Sequence, residues 1–149
     1  MKFVIGKKKE AHWEIDEHLI RVYSKPQIVF GKLKLEHQIY LDNIESIEIY
    51  FTSLPMGGAA NRVGVFSYAH QVMFNIKIKN EKNAIFNILT GTNRDELIQA
   101  INYLKNKNIT FIDQYNLIAL INDKNKKIWD GVEQIIKENN LPYVNHKVY

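Results

Sequence analysis

The sequence predicts an α+β fold: an antiparallel β-barrel or sandwich of about six to seven strands, capped by an amphipathic helix and followed by a C-terminal helical extension. Before residue 90, apolar and polar residues alternate in several segments, which is the pattern of half-buried strands. The polar residues 80–83 then join the last two of these segments as a hairpin. After Thr92 the apolar spacing changes to that of a helix.

The strands are predicted one by one from apolar runs and the breaks between them. Residues 12–15 and 19–23 flank an Asp16-Glu17 turn. Pro26 ends the second run, because proline has no amide hydrogen to give to a strand ladder. The remaining predicted strands cover residues 33–41, 47–51, 72–78, 84–89 and 109–112.

Two amphipathic helices are predicted in the last third of the chain. The first covers residues 93–106, with Thr92 as its N-cap and Asp95 completing an approximate capping box. The second covers residues 124–139 and is expected to pack on the sheet and bury Trp129. Residues 115–121 are apolar and fit either a strand or a helix.

Length and composition favour a single domain. The chain has 149 residues, 46% of them apolar and 24% charged, and no repeat or linker divides it. We therefore expect residues 1–149 to form one domain, with residues 108–149 packed on the rest. The absence of cysteine excludes disulfides, thiolate metal sites and cysteine nucleophiles. It also fits a reducing compartment, and no segment has the pattern of a secretory signal or membrane span, so a cytoplasmic protein is expected.

The positive charge of the chain is spread out. Its net charge is +4 and its pI is about 9.1, but the lysines are mixed with acidic residues. The one basic run, residues 7–9, is followed at once by Glu10, which favours a solvated tail over a contact with phosphate or lipid. Proteins that bind nucleic acid usually concentrate basic residues on one face. Nucleic-acid and membrane partners are therefore not favoured.

No catalytic, metal or cofactor site is predicted. The five histidines lack the helical spacing of a metal site, and the serines lack the surroundings of a nucleophile elbow. His37 lies on the apolar side of its strand, which favours a buried, hydrogen-bonded core histidine over a general base. His12 and His18 flank one turn and can meet in space. The acidic groups are expected to be solvated.

The most unusual segment is a predicted loop of about 18 residues between residues 53 and 70, a length at which loops are often functional. Its glycines and Arg62 suit a small anion, although no phosphate-loop motif is present. Its apolar side chains suit a partner protein. A plain flexible connection is the third reading, and all three stay open. The candidate binding residues are Met56, Gly57, Gly58, Arg62, Phe66 and Tyr68.

The order of elements resembles that of bacterial pleckstrin-homology-like domains. In residues 39–51, a polar corner with an Ile-x-x-Ile step leads into a strand, as it does in that group. Residues 74–78, the hairpin and the helix at 97–104 are similar to its closing part. The resemblance covers residues 11–107 and implies two orthogonal sheets capped by a helix. It carries over no site residues, because residues 21–25 lack the dense basic spacing of a phosphoinositide-binding loop.

These observations favour a non-enzymatic module that binds a protein or peptide, with a homo-oligomer also compatible. The abundance of isoleucine, lysine and asparagine suggests an AT-rich genome and hence a bacterial or phage origin. Two alternatives remain. One is a small-molecule enzyme of unfamiliar type, and the other is a peripheral binder of anionic lipid or nucleic acid.

Overall fold

The computed structural model describes residues 2–26, 31–55 and 68–142. Within these residues the chain forms eight strands, a short 3₁₀ turn and three α-helices. In chain order they are β1 (Phe3–Gly6), β2 (His12–Ile15), β3 (Leu19–Ser24), β4 (Lys34–Tyr40), the 3₁₀ turn Leu41–Asn43, β5 (Ile44–Pro55), β6 (Tyr68–Ile78), β7 (Ala84–Asn87), α1 (Arg94–Asn106), β8 (Thr110–Ile112), α2 (Leu117–Asn122) and α3 (Ile128–Glu138).

The strands form two four-stranded sheets. The first is an antiparallel meander in the order β1-β2-β3-β4. The second has the order β7-β6-β5-β8, in which β8 runs parallel to β5 and the other pairs are antiparallel. The predicted α+β class and the strands predicted within it are confirmed. The two sheets are separate in the described part of the chain, so the closed-barrel alternative is not what forms there.

Strand β1 was not predicted from the sequence. It is only four residues long, too short for an alternating apolar pattern to mark it in the sequence, and contacts with β2 and α1 stabilise it. Its backbone pairs with β2 along the whole strand, and Ile5 is fully buried. The Val4 amide also donates to Glu96 Oε1 in α1 at 2.9 Å. These contacts involve residues outside β1, so the pattern of residues 3–6 alone does not predict the strand.

Helix α1 forms where it was predicted, but its N-cap is Asn93 and not Thr92. The Asn93 side-chain oxygen accepts from the Glu96 amide at 3.3 Å, and its side-chain nitrogen donates to Glu96 Oε2 at 3.0 Å. Thr92 instead donates its hydroxyl to the Leu89 carbonyl at 3.0 Å. The predicted Thr92–Asp95 capping box was wrong, because the helix begins one residue later than that prediction required.

Residues 115–121, left open between strand and helix, lie mainly in helix α2. The carboxylate of Asp113 accepts from the amides of Leu117 and Ile118 at 2.7 and 2.9 Å, which satisfies the first turn. At the other end, the Arg94 guanidinium donates to the carbonyl oxygens of Leu120, Ile121, Asp123 and Lys126 at 2.5–2.8 Å. A helix this short depends on such partners at both ends.

Helix α3 begins at Ile128, four residues later than predicted, because the chain turns first. The Asp123 carbonyl accepts from the Lys126 amide at 3.1 Å in that turn. Gly131 allows α3 to lie close to α2, since a Cβ at that position would clash with Leu120. Trp129, predicted to be buried, is 50% exposed.

The two sheets are joined by Trp13, which is 0% exposed. Its ring lies 5.8 Å from that of Phe74 and 5.6 Å from that of Phe86, both in the second sheet. Its indole Nε1 also donates to the Ile88 carbonyl at 3.1 Å. One side chain of the first sheet therefore supplies both apolar contact and a buried hydrogen bond to the second.

We expect Trp13→Phe to lower the free energy of unfolding by about 2–3 kcal/mol, because it leaves a void and an unpaired buried carbonyl. Trp129→Phe is the matched control at an exposed site and should cost less than about 1 kcal/mol. Denaturant unfolding of the two variants and the wild type measures both changes. Equal losses would show that Trp13 does not hold the sheets together.

Asp16, in the β2–β3 turn, gives the fold a defined acid sensitivity. The His18 amide donates to its carboxylate at 2.8 Å and the Leu19 amide at 3.0 Å, with Arg21 at 3.2 Å. These contacts, the His18 hydrogen bond first, hold the pKa of Asp16 below its ordinary value of 3.8.

A carboxylate with a lowered pKa stabilises the fold above its unfolded pKa, and the stability is lost as pH falls through the folded pKa. We therefore expect the wild type to lose its advantage over Asp16→Asn as the pH falls below about 4. Urea unfolding of both proteins between neutral pH and pH 3 tests this. A stability difference that stays constant over that range would contradict it.

Candidate functional site

A cavity of about 290 Å³ lies between one end of the first sheet and strand β7. The start of β2, the end of β3 and the start of β4 meet at this end of the sheet, and β7 passes across it. The lining is formed by Ala11, His12, Val22, Tyr23, Ser24, Glu36, His37, Ile85, Phe86, Asn87 and Leu89. Most of these side chains are apolar or aromatic, as in small-ligand and side-chain pockets.

His37 lies in the cavity wall and is half-buried. Its ring centroid is 6.5 Å from that of Phe86 across the gap between the sheets. The sequence predicted a buried, hydrogen-bonded core histidine, because His37 shares the parity of Ile39. That parity is correct, since Ile39 is buried, but β4 is the last strand of its sheet. The inner face of β4 therefore borders the cavity at His37 rather than the packed core.

His12 is held rigidly in the opposite part of the wall. Its ring stacks on that of Tyr23, with centroids 4.7 Å apart and planes 15° apart. Its Nδ1 lies 2.8 Å from the Glu10 carbonyl oxygen. A carbonyl oxygen can only accept, so Nδ1 carries the proton. The sequence allowed His12 and His18 to meet across the turn, but His18 lies in the Asp16 turn, at the other end of β2 from His12.

Among the described residues, β3 is the one strand that pairs with β4, so β4 has an open edge beside the cavity in that part of the chain. The Leu41 amide donates to the His18 carbonyl at 2.8 Å. Bonded and non-bonded pairs alternate along an antiparallel ladder. The pairs on β4 that exchange hydrogen bonds with β3 therefore include Ile39, while the backbone groups of Gln38 and Tyr40 point away from β3.

The apolar side predicted for β4 is exposed near its start. Leu33 and Leu35 are 39% and 43% exposed, and Tyr40 is 52% exposed. Edge strands are normally protected by charge, proline or a covering segment. The sequence prediction, which placed these leucines on the buried face, was wrong here because the pairing with β3 shifts register: His37 lies opposite Val22, but Leu35 lies opposite Tyr23.

Of the six residues that the sequence selected for binding, the structure describes the backbone of one, Tyr68. Strand β5 continues to Pro55 and pairs there with Tyr68, the first residue of β6, so the predicted loop 53–70 is shorter than expected. Tyr68 thus lies within the second sheet. Met56, Gly57, Gly58, Arg62 and Phe66 lie outside the described residues.

A second polar cluster joins the β5–β6 pair to helix α3. Ser53 Oγ lies 2.8 Å from His70 Nδ1, and His70 Nε2 lies 2.7 Å from Glu133 Oε1. With neutral His70, Nε2–H donates to the carboxylate and Nδ1 accepts from the serine hydroxyl. The Trp129 ring packs 5.4 Å from the imidazole. The sequence gave no sign of this cluster, because its members are far apart along the chain.

The hydrogen bonds of this cluster follow the order of a serine–histidine–carboxylate catalytic triad. Its serine and histidine side chains, however, are buried, as in a structural hydrogen-bond network. Ser53 is 1% exposed, and the side chain of His70 is 0% exposed. A nucleophile must reach a substrate carbonyl and needs hydrogen-bond donors for the developing oxyanion. A serine enclosed to this extent cannot meet a substrate, so the cluster ties α3 to the sheet.

An open groove of about 600 Å³ runs past His70 and Trp129 towards the start of α1. Arg94 and Lys127 contribute to its wall, which at first sight suits an anion. The Arg94 guanidinium, however, is already engaged by four backbone carbonyls near α2. This groove is therefore less suited to a ligand than the cavity beside β7.

Comparison of the chain with protein-family models, curated proteins and solved structures found no match. Residues 2–26, 31–55 and 68–142 contain no cluster of three metal-ligating side chains. Over the same residues, every helix is too short or too polar to cross a membrane. The site must therefore be interpreted from its own geometry.

We expect Glu133→Ala to lower the free energy of unfolding by about 1–3 kcal/mol, because it leaves the buried Nε2–H of His70 without its acceptor. Glu138→Ala is the matched control on α3. It removes an exposed bond to Gln134 and should cost less than about 0.5 kcal/mol. Denaturant unfolding and hydrogen exchange of α3 amides measure the effect, and equal costs would contradict the structural role of the cluster.

Proposed function

We propose that this protein is a non-enzymatic binding module of pleckstrin-homology-like fold. It captures an extended segment of a partner protein along the open edge of β4 and takes one side chain of that segment into the cavity beside β7. The absence of cysteine makes a cytoplasmic location part of the same proposal.

The order and pairing of the strands support the fold assignment. A four-stranded antiparallel meander is followed by three antiparallel strands, β5 to β7, and then by the amphipathic helix α1. Helix α1 packs against β1, where Phe3 and Tyr103 have ring centroids 5.9 Å apart. Strand β8 and helices α2 and α3 then form the C-terminal extension on the other side of β5.

The observation that carries the binding proposal is the position of the open edge next to the cavity. A peptide that pairs with β4 extends the first sheet by one strand, using the outward backbone groups of Gln38 and Tyr40. Side chains of that peptide alternate between the two faces of the sheet. Those on the inner face lie beside His37 and enter the gap between the first sheet and β7.

The surface around this edge suits a protein segment better than a polar metabolite. Leu33 and Leu35 present exposed apolar area at the start of β4, while Lys34 and Glu36 alternate with them. Main-chain pairing supplies affinity, and apolar side chains flanking the edge add contact area. The buried state of Ser53 argues against the enzyme alternative, because the relay in which it takes part is enclosed.

We expect Gln38→Pro to abolish this binding while the sheet stays folded. The Gln38 amide points away from β3, so proline there removes a donor for the added strand without removing a bond of the ladder. Gln38→Ala is the matched control, because it retains the amide. We expect the wild type and Gln38→Ala to select the same sequences from a displayed library of random linear peptides, and Gln38→Pro to bind them about tenfold or more weakly.

Circular dichroism and denaturant unfolding confirm that the proline variant is folded. In the complex, the amides of Gln38 and Tyr40 should gain protection from hydrogen exchange. A library that yields no enriched peptide, or peptides that the proline variant binds as tightly as the wild type, would refute strand addition at β4.

A further inference from the structure

The imidazole of His12, in the cavity wall, is held in one orientation by its neighbours. It is 5% exposed, stacks on Tyr23 and donates its Nδ1 proton to the Glu10 carbonyl. Neutral imidazole carries one proton, so Nε2 is left as an acceptor. The ring cannot exchange the roles of its two nitrogens without losing the 2.8 Å bond to Glu10.

Nε2 of His12 is available to an occupant of the cavity. None of the described residues forms a hydrogen bond with it. In the described part of the chain, the one fully buried side-chain atom without such a partner is Asn75 Oδ1. His12 Nε2 is therefore not fully enclosed, and His12 is one of the residues that line the cavity.

The other walls favour an aromatic ring over a charged group. Phe86, Tyr23 and His37 are among the residues that line a space of about 290 Å³, a volume that suits one aromatic side chain. Glu36 stands at the cavity wall with its carboxylate bonded to the Ser24 hydroxyl at 3.0 Å. Its negative charge disfavours an anionic occupant.

We propose that the cavity selects an aromatic side chain that carries a hydrogen-bond donor, the phenol of tyrosine or the indole of tryptophan, and that His12 Nε2 accepts that bond. This inference names the residue class recognised by the proposed peptide-binding function and rests on it for the peptide. An aromatic side chain without a donor leaves Nε2 desolvated and unpaired, so the site discriminates against phenylalanine.

The test uses small probes on the full chain, so that it does not depend on peptide capture. p-Cresol has the ring and the donor of tyrosine. Toluene lacks the oxygen and 4-methylanisole has its donor blocked by methylation, so the two controls bracket p-cresol in size. Nuclear magnetic resonance titration follows the amides of Ala11 and Asn87 beside the cavity. We expect p-cresol to bind about tenfold or more tightly than either control.

Two variants assign the preference to His12. His12→Phe keeps a ring to stack on Tyr23, and His12→Asn keeps a donor for the Glu10 carbonyl, but both lack the Nε2 acceptor. In each, the three probes should bind within about twofold of one another. Equal binding of the three probes to the wild type, binding of none of them at the cavity, or a p-cresol preference that survives in both variants would overturn the inference. So would tighter binding of methylguanidinium than of p-cresol.

The two proposals fail separately. A p-cresol preference that depends on His12, with no peptide enriched from the library, refutes strand addition and leaves the chemistry of the cavity standing. Enriched peptides that lose binding with Gln38→Pro, but tolerate replacement of their tyrosine or tryptophan by phenylalanine, refute the aromatic-donor preference alone. Peptides that show at least about a tenfold loss on that replacement support both.

Discussion

The contact of Trp13 with the second sheet is the constraint on which the rest of the structure depends. Its ring packs against Phe74 and Phe86, and its indole bonds to the carbonyl of Ile88 just after β7. That bond fixes how closely β7 approaches the start of β2. Farther along, towards β3 and β4, the smaller side chains of Val22 and His37 take the place of Trp13, and both line the cavity. The cavity is thus the unfilled part of the interface that Trp13 closes.

The groups that the candidate site offers to a ligand depend on the position of β4 at the edge of the first sheet. His37 has the parity of a core residue, yet it is half-buried because no second strand within residues 2–26, 31–55 and 68–142 lies beside β4. The same missing neighbour leaves the backbone of Gln38 and Tyr40 facing outward. His12 is fixed by a stack and a main-chain bond, so its acceptor nitrogen is preorganised before any ligand arrives. A rigid wall beside an open edge is the arrangement that a strand-adding partner requires.

The C-terminal extension stabilises the second sheet through polar contacts placed at helix ends and on buried strands. Arg94 caps the last turn of α2 from the first residue of α1, which links two helices through one guanidinium. His70 connects Ser53 to Glu133 and so fastens α3 over β5 and β6. Paired in this way, buried polar groups avoid the cost of desolvation without partners. Ser53, His70 and Glu133 are residue types common in catalytic sites, but here they form a structural hydrogen-bond network.

The sequence by itself determined the periodic elements: the alternation in β5 and β6, the hairpin from β6 into β7, and the amphipathic face of α1 all follow from local spacing. It did not determine β1, the helical state of residues 117–122 or the exposure of Trp129, because these depend on contacts distant in the chain. The Asn93 cap is a local contact with Glu96, but Thr92 and Asn93 are both good capping residues, and local sequence did not choose between them. The candidate site was not predictable for the same reason. Periodicity places a side chain on one face of a strand, but only the tertiary structure decides which strand is left at an edge and which faces fail to meet.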